Sequence, residues 1–229
     1  MKPFTEIIPR GLVVSCQAAE GEPLHGSEIM ARMAIAAEVG GAAGIRANGP
    51  SDVRAIVQSV HLPVLGIYKK QYPDSAVYIT PTFEEARQVV DAGAAAVAID
   101  ATNRARPGGE SLEALIGRIH DELKVPIMAD ISTFEEGVRA AELGCDAVAS
   151  TLSGYVEGSA KLPGPDLELV RRLAAGVAVA VVAEGRYHSP EQAGEAIRAG
   201  AHAVVVGTTI TRPQVITKMY RDAVEESFR

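Results

Sequence analysis

Tryptophan is absent from this sequence of 229 residues, and aromatic residues make up only 4% of it. Hydrophobic residues still account for 47% of the chain, so its core must be built mainly from Val, Ile, Leu and Ala. Basic residues are outnumbered by acidic ones, 22 against 29, which leaves a net charge of -7. This charge argues against a nucleic-acid partner, which needs a basic surface. It still permits a small phosphorylated ligand, because one Arg and a few backbone N–H groups suffice for one phosphate.

Cysteine and long hydrophobic runs are also scarce. Cys16 and Cys145 lie in apolar surroundings without metal-type spacing, so we interpret both as buried small side chains. The five histidines lack the spacing of a zinc site, and we assign no metal. No segment approaches the roughly 20 apolar residues of a membrane span, and the N-terminal segment lacks the apolar stretch of a signal peptide. We therefore expect a cytoplasmic protein without a membrane partner.

What the sequence does contain is eight short apolar stretches, separated by segments with helical spacing. The predicted strands are Leu12–Cys16, Gly44–Ala47, Val64–Tyr68, Ala96–Asp100, Pro126–Ile131, Ala147–Leu152, Val177–Ala183 and Ala203–Gly207. Three of the helical segments begin at a hydroxyl N-cap and end at a glycine: Thr82 to Gly93, Thr133 to Gly144, and Ser189 to Gly200. Such alternation predicts parallel strands joined by right-handed crossovers.

Eight strand–helix units favour closure into a barrel over an open sheet. Neither a GxGxxG fingerprint nor a GxxxxGK[ST] loop is present, which removes the main support for an open nucleotide-binding sheet. No linker or low-complexity stretch divides the chain. We predict an α/β fold with one (β/α)8 TIM-barrel domain over residues 1–229.

Two of the predicted strands end in an ionisable residue, Lys69 after the third strand and Glu184 after the seventh. A charge inside a buried strand is costly, whereas the C-terminal strand ends of a barrel are where active sites form. Burial lowers the pKa of a lysine and raises that of a glutamate, so the two side chains suggest proton transfer at carbon. Lys70 competes with Lys69, because side chains alternate along a strand that ends here. Glu184 could instead close the barrel mouth as an ion pair with Arg46 or Lys69.

Polar residues at other strand ends suggest a ring of contacts around a polar ligand. The candidates are Gln17, Arg46, Asp130 and Thr151, after strands one, two, five and six. Gly185 follows strand seven, and Gly207 and Thr208 precede a helix that we expect to begin near Arg212-Pro213. Barrel loops at these positions often bind phosphate through backbone N–H groups, and Arg212 can add a bidentate contact. A simple turn with a helix-starting proline is the alternative.

These residues belong to motifs whose order and spacing cover nearly the whole chain. The motifs are Gly11-Leu-Val-Val-Ser-Cys-Gln17, Gly44-Ile-Arg46-Ala-Asn, Pro63-Val-Leu-Gly-Ile-Tyr-Lys69, Val77-Tyr-Ile-Thr-Pro-Thr82, Asp100-Ala-Thr, Met128-Ala-Asp130-Ile-Ser-Thr, Thr151-Leu-Ser-Gly-Tyr155, Ala183-Glu184-Gly185-Arg186 and Val206-Gly207-Thr208. Together they resemble the bacterial N-acetylmannosamine-6-phosphate 2-epimerases, a family of the ribulose-phosphate-binding barrel type.

The resemblance implies a role for each matching residue. Lys69 and Glu184 match the catalytic lysine and glutamate of that family, which selects Lys69 over Lys70. Its substrate-contacting residues match Gln17, Arg46, Asp130 and Arg212, and the phosphate end of its site matches Gly185, Gly207 and Thr208. The sequence departs from the family pattern at Tyr68, where an aliphatic residue is frequent, and at Asn103, where a basic residue is usual.

The resemblance also implies an activity. The expected reaction interconverts N-acetylmannosamine 6-phosphate and N-acetylglucosamine 6-phosphate at carbon 2, in amino sugar (sialic acid) catabolism, without a metal or redox cofactor. Two alternatives stay open: an aldolase-like barrel enzyme that uses Lys69 as a Schiff-base nucleophile, and a non-catalytic sugar-phosphate-binding protein. A homodimer is compatible with such barrels, although the sequence does not indicate its surface.

Overall fold

Eight parallel strands close into a barrel in the computed structural model of this chain, which describes residues 1–228. They are β1 (Gly11–Cys16), β2 (Gly44–Asn48), β3 (Val64–Ile67), β4 (Ala96–Asp100), β5 (Ile127–Asp130), β6 (Ala147–Ala149), β7 (Ala180–Glu184) and β8 (Ala203–Val206). Each strand pairs in parallel with the next one in the chain, and β8 returns to β1 with Val205 opposite Val13. The predicted (β/α)8 barrel is confirmed.

Helices connect successive strands around the outside of the barrel, and others lie before the first strand and after the last. They are α1 (Phe4–Ile7), α2 (Ser27–Val39), α3 (Pro50–Val57), α4 (Phe83–Asp91), α5 (Leu112–Arg118), α6 (Phe134–Glu142), α7 (Leu167–Gly176), α8 (Pro190–Arg198), α9 (Thr208–Thr211) and α10 (Pro213–Glu226). Of these, α1 precedes β1, and α9 and α10 follow β8. The predicted helix starts at Thr82, Thr133 and Ser189 are confirmed as N-caps, the first two within complete capping boxes. The helix expected near Arg212-Pro213 is α10.

Several predicted boundaries differ from the observed ones for local reasons. Val177 caps the end of α7, where its backbone N–H donates to the carbonyl oxygen of Leu173, and β7 begins only at Ala180. The strand predicted through Leu152 stops at Ala149, where the chain enters a 3₁₀ turn over Ser150–Leu152. Neither α1 nor α9 was predicted, since a single helical turn is too short to show a periodic pattern.

The apolar side chains divide into two layers, one inside the barrel and one between the strands and the helices. Inside lie side chains from alternate strand positions, among them Leu65, Ile67, Met128 and Val182. Phe4 and Ile8, on α1 and just after it, join this inner layer; the other inner positions are mostly Ala and Val. The outer layer buries the inward faces of the surrounding helices. The interior is therefore a packed core that supports whatever lies at the open end.

The segment between β3 and α4 folds back over the carboxyl end of the barrel. Lys69 and Ile79 form an antiparallel bridge, and the Thr80 N–H donates to the Tyr68 carbonyl oxygen at 2.9 Å. Ile79 itself is buried in the inner layer, and its carbonyl oxygen accepts a bond from the Asp100 N–H. This double attachment holds the backbone at Lys69 in place.

The last helix, α10, differs from the others because none of its residues is buried. Tyr220, Val224 and Phe228 follow one another at four-residue intervals, and all three are exposed. Within residues 1–228 no helix is long and apolar enough to cross a membrane.

Candidate active site

A cavity of about 590 Å³ opens at the carboxyl ends of the strands. Its wall contains nine of the ten residues that the sequence analysis singled out: Gln17, Arg46, Lys69, Thr151, Glu184, Gly185, Gly207, Thr208 and Arg212. The tenth, Asp130, is fully buried and contacts Arg46 from beneath the cavity wall. The barrel thus brings together side chains that lie up to 195 positions apart in the chain.

Alternation along β3 decides between the two lysines. Leu65 and Ile67 point into the barrel, and Lys69, two positions further along, continues on that face and lines the cavity. Lys70 points the other way, where its ammonium lies 3.1 Å from the Glu85 carboxylate on α4. Of the two, only Lys69 reaches the site.

Arg46 lies at the centre of a buried charge cluster, with only 1% of its side chain exposed. Its guanidinium donates to both oxygens of Asp130, at 3.1 and 2.5 Å, and to Glu184 Oε2 at 2.7 Å. The barrel supplies these partners from three strands, β2, β5 and β7. The contact between Glu184 and Arg46 that the alternative interpretation of Glu184 required is therefore present, and it involves the same glutamate that belongs to the proposed proton-transfer pair.

The pKa values of Lys69 and Glu184 shift in opposite directions. Burial raises the pKa of Glu184 to about 7, and nearby Asp130 adds to the shift, although Arg46 opposes it. The Lys69 side chain is exposed within the open cavity, but the cavity walls remove part of the water around its ammonium and Arg46 lies nearby, and both effects lower its pKa. Both shifts move a side chain toward neutral pH, where acid–base catalysis is most effective. The directions agree with those expected from the sequence.

Thr151 reaches the same two carboxyl groups. Its hydroxyl oxygen lies 2.7 Å from Asp130 Oδ1 and 3.0 Å from Glu184 Oε2. The neighbouring Ser150 hydroxyl bonds the backbone of Glu184, accepting from its N–H at 3.1 Å and donating to its carbonyl oxygen at 3.0 Å. The 3₁₀ turn after β6 therefore holds both the backbone and the side chain of Glu184.

The predicted phosphate end of the cavity combines a glycine turn with a helix start. Gly185 has φ of 110°, a left-handed conformation that favours glycine, immediately after Glu184. Gly207 and Thr208 lie where β8 leads into α9. Arg212 follows α9, and its guanidinium forms an ion pair with Glu22 in the loop between β1 and α2. Glu22 thus occupies one side of Arg212, while the Arg212 Nε atom is buried without a partner in residues 1–228.

Gln17 faces the cavity beside Ser15 at the end of β1. The Gln17 side-chain amide donates to the Ser15 hydroxyl at 2.6 Å. Its Oε1 atom is buried and has no hydrogen-bond partner in residues 1–228. An unpaired buried polar atom on a cavity wall is available to a polar ligand.

Several residues of the cavity wall were not predicted from the sequence, among them Asn48 and Arg186. Asn48 lines the cavity, and its side-chain carbonyl accepts the Lys69 N–H at 2.8 Å. Its position two residues after Arg46 on β2 was the available signal, since both side chains share one face. Arg186 donates to the carbonyl oxygens of Ser153 and Gly164, at the two ends of the loop between β6 and α7. No local pattern indicates that contact.

In residues 1–228 no group of three or more His, Cys, Asp or Glu side chains is arranged to hold a metal ion. The two carboxylates of the cavity floor face the guanidinium of Arg46 instead.

The fold and the site define a (β/α)8-barrel protein with an acid–base pair beside a cavity at the carboxyl end of its strands. Residues 30–226 match the sequence model of a family described as "Putative N-acetylmannosamine-6-phosphate epimerase". The chain belongs to this N-acetylmannosamine-6-phosphate epimerase family, as its motifs suggested.

Similar proteins are found in several bacteria. A relative from Caldanaerobacter subterraneus, named putative N-acetylmannosamine-6-phosphate 2-epimerase, is 53% identical over 96% of this chain and 93% of its own length. The solved structure of the N-acetylmannosamine-6-phosphate 2-epimerase from Clostridium perfringens is similar with a TM-score of 0.92 and 46% identity, and the match covers 95% of both chains. A thiamine phosphate pyrophosphorylase from Pyrococcus furiosus, at 17% identity and a TM-score of 0.58, shares the fold alone.

Proposed function

We propose that this protein is an isomerase that interconverts N-acetylmannosamine 6-phosphate and N-acetylglucosamine 6-phosphate. The two sugars differ only in configuration at carbon 2, so the reaction removes a proton there and returns it to the opposite face. The observation that carries the proposal is the placement of Lys69 and Glu184 in one cavity with pKa values shifted toward each other. The family supplies the identity of the substrate.

The chemistry requires that the sugar ring be opened first, because the carbon 2 hydrogen is acidic only next to an aldehyde at carbon 1. A base then takes that hydrogen as a proton, the electrons of the C–H bond form a carbon–carbon double bond, and the carbonyl oxygen becomes an oxyanion. Hydrogen-bond donors and cations beside that oxygen lower the barrier. We propose that Lys69 exchanges the carbon-bound proton, while Glu184 assists ring opening or serves the opposite face.

The remaining predicted residues position the sugar phosphate. The phosphate would be held by Gly185, Gly207, Thr208 and Arg212. It would replace the Glu22 carboxylate as the partner of the Arg212 guanidinium. Gln17 would contact a sugar oxygen or amide through its unpaired Oε1 atom. Asp130 would act through Arg46, because it is buried beneath that guanidinium. No step requires a metal or redox cofactor.

Proton exchange with solvent tests the activity directly. N-acetylmannosamine 6-phosphate is incubated with the protein in deuterated water and followed by NMR. We expect the gluco epimer to appear with deuterium at carbon 2. Unchanged substrate after prolonged incubation would overturn the activity and favour a sugar-phosphate-binding protein.

A Schiff-base lyase is the enzymatic competitor, since Lys69 with a lowered pKa could also attack a carbonyl carbon. Such an enzyme would be trapped by borohydride as a covalent adduct on Lys69. We expect no adduct, because the cluster of Arg46, Asp130 and Glu184 provides acid–base groups beside the lysine. Detection of the adduct by mass spectrometry would contradict the epimerase mechanism.

We also propose that the protein forms a homodimer through α10 and Phe228, which lies just after it. Supporting this is the stripe of Tyr220, Val224 and Phe228, which has no cover within residues 1–228. A second copy of the chain offers the same stripe, as a two-fold interface requires. Light scattering after size exclusion should show twice the chain mass of 24.0 kDa for the wild type. Tyr220→Glu should yield monomers, and a monomeric wild type would contradict the proposal.

A further inference from the structure

Thr151 lies between two carboxyl groups, although its hydroxyl has only one hydrogen to donate. Its hydroxyl oxygen contacts Asp130 Oδ1 at 2.7 Å and Glu184 Oε2 at 3.0 Å. A threonine hydroxyl has one hydrogen to donate and two lone pairs to accept with. If both carboxyl groups were ionised, one of the two contacts would join lone pairs on both sides and would be repulsive. Both contacts are favourable only when one carboxyl group carries a proton.

The contacts of the two carboxyl groups show which of them carries that proton. Asp130 receives two guanidinium nitrogens of Arg46, one on each oxygen, and is fully buried with it. Such a bidentate arrangement suits a carboxylate. Glu184 receives only one nitrogen of that guanidinium, at 2.7 Å, and lines the cavity. The proton therefore belongs on Glu184, and burial, which raises the pKa of this residue to about 7, agrees with that assignment.

We propose that Thr151 is a positioning residue for Glu184. The Thr151 hydroxyl forms a hydrogen bond with the Glu184 side chain in both of its protonation states. In the first state the Glu184 carboxylic acid donates to Thr151, and the Thr151 hydroxyl donates to Asp130. When Glu184 gives its proton to an atom in the cavity, the Thr151 hydrogen turns from Asp130 to the new carboxylate. The hydrogen bond from Thr151 to Asp130 is given up in this second state, whereas Asp130 keeps both contacts with Arg46. The Thr151 oxygen then faces the Asp130 carboxylate without a hydrogen between them, which favours return of the proton to Glu184. This inference rests on the proposed function, because it assigns the device that lets Glu184 release and regain a proton.

A purely structural role for Thr151 is less consistent with its neighbours. The backbone of Glu184 is already held by Ser150, which bonds both its N–H and its carbonyl oxygen. The Thr151 hydroxyl therefore adds nothing to the backbone of β7 and contacts only the two carboxyl groups.

The other charged or titratable groups near Glu184 are Arg46 and Lys69, with Tyr78 facing Arg46 and Asp130, and Arg186 and His188 on the same cavity wall.

An infrared titration without substrate tests the proposal. The carboxylic acid band of Glu184 is identified as the band that Glu184→Gln removes, and its midpoint is followed with pH in the wild type, Thr151→Val and Thr151→Ser. Loss of the hydroxyl removes a charge-assisted hydrogen bond from the ionised form of Glu184 and strengthens the repulsion between its carboxylate and that of Asp130. Both effects disfavour ionisation, so we expect the Glu184 midpoint in Thr151→Val to rise by about half to one pH unit. Thr151→Ser should restore the wild-type midpoint.

Kinetics provide the second readout. For Thr151→Val we expect kcat to fall about 10- to 100-fold, with KM changed less than about threefold. In the pH–rate profile, the limb that reports the ionisation of Glu184 should move to higher pH. Thr102→Val is the matched control, since the Thr102 hydroxyl donates to buried Asp100 at 2.7 Å but does not line the cavity. That control should leave both the titration midpoint and the pH profile unmoved.

Three outcomes would overturn the proposal: an unmoved midpoint in Thr151→Val, a lowered one, or a failure of Thr151→Ser to restore it. If Thr151→Val does not fold, Thr151→Ala is titrated in its place with the same expectations. The infrared titration needs no substrate, whereas epimerisation by the wild type in deuterated water tests the proposed function. Failure of the proposed function is thereby distinguished from failure of this inference.

Discussion

The lower half of the barrel interior can be compared with its upper half, at the carboxyl ends of the same strands. On β5 the inward position is Met128 in the lower half and Asp130 two residues later. On β7 the corresponding pair is Val182 and Glu184, and on β3 Ile67 precedes Lys69. One alternation of side chains therefore builds an apolar layer first and a charged layer directly above it.

The two layers contribute in opposite ways. Burial of the apolar layer stabilises the fold in proportion to the area removed from water. The charged layer withdraws Arg46, Asp130 and Glu184 from water, and such buried ion pairs seldom repay their desolvation cost. The comparison suggests that the upper half is maintained for chemistry, while the lower half holds it in shape.

Replacement of Lys69 should produce the largest effect. We expect Lys69→Met to lower turnover at least about 10³-fold, because the side chain keeps its length but loses the group that exchanges a proton. Lys70→Met is the matched control: its ammonium pairs with Glu85 outside the cavity, so turnover should stay within about twofold. Both rates are measured by NMR. Retained activity of Lys69→Met would contradict the assignment of Lys69 as the group that exchanges the proton.

Replacement of Met128 should affect stability instead. Met128 is fully buried in the inner layer, so Met128→Ala leaves a cavity and should lower the free energy of unfolding by about 2–5 kcal/mol. Turnover per folded molecule should change little, since Met128 does not line the active-site cavity. Urea denaturation measures the stability and the NMR assay measures the turnover. A loss of turnover as large as that expected for Lys69→Met would contradict the division of roles between the two halves of the barrel.

The smallest effect should be a gain of stability on removal of a charge from the upper half. The pKa of Glu184 is raised to about 7 in the folded protein, from 4.5, so its protonated form is favoured by folding. That contribution is complete below about pH 4.5 and is lost as the pH rises through 7. Glu184→Gln, which resembles the protonated form, should thus be more stable than the wild type by up to about 3 kcal/mol at pH 8.

Urea denaturation at two pH values provides the control for this prediction. At pH 5 the folded wild type keeps most of the Glu184 proton, so we expect the difference in stability to shrink to less than about 1 kcal/mol there. A Glu184→Gln variant less stable than the wild type at pH 8 would show that the ion pair with Arg46 outweighs the cost of burial.

Much of this site could be predicted from local sequence. The apolar stretches, the N-caps at Thr82 and Thr133, and the helix-ending glycines indicated eight strand–helix units, and the chain has them. The strand ends then indicated nine residues that line the cavity. The exact strand limits, the one-turn helices α1 and α9, and the contacts of Arg186 were not predictable, because each depends on neighbours distant in the chain.

The sequence by itself determined which side chains share a face, because alternation along a strand is a local property of the backbone. It therefore determined that Asp130 shares a face of its strand with Met128, and Glu184 with Val182, whereas the closed barrel decided that this face is the inner one. Only the closed barrel decided that Arg46, Asp130, Thr151 and Glu184 meet, since strands far apart in the chain lie opposite one another across its interior. Their charge states follow from that meeting, because burial and neighbouring charges shift each pKa away from the value that the residue type sets.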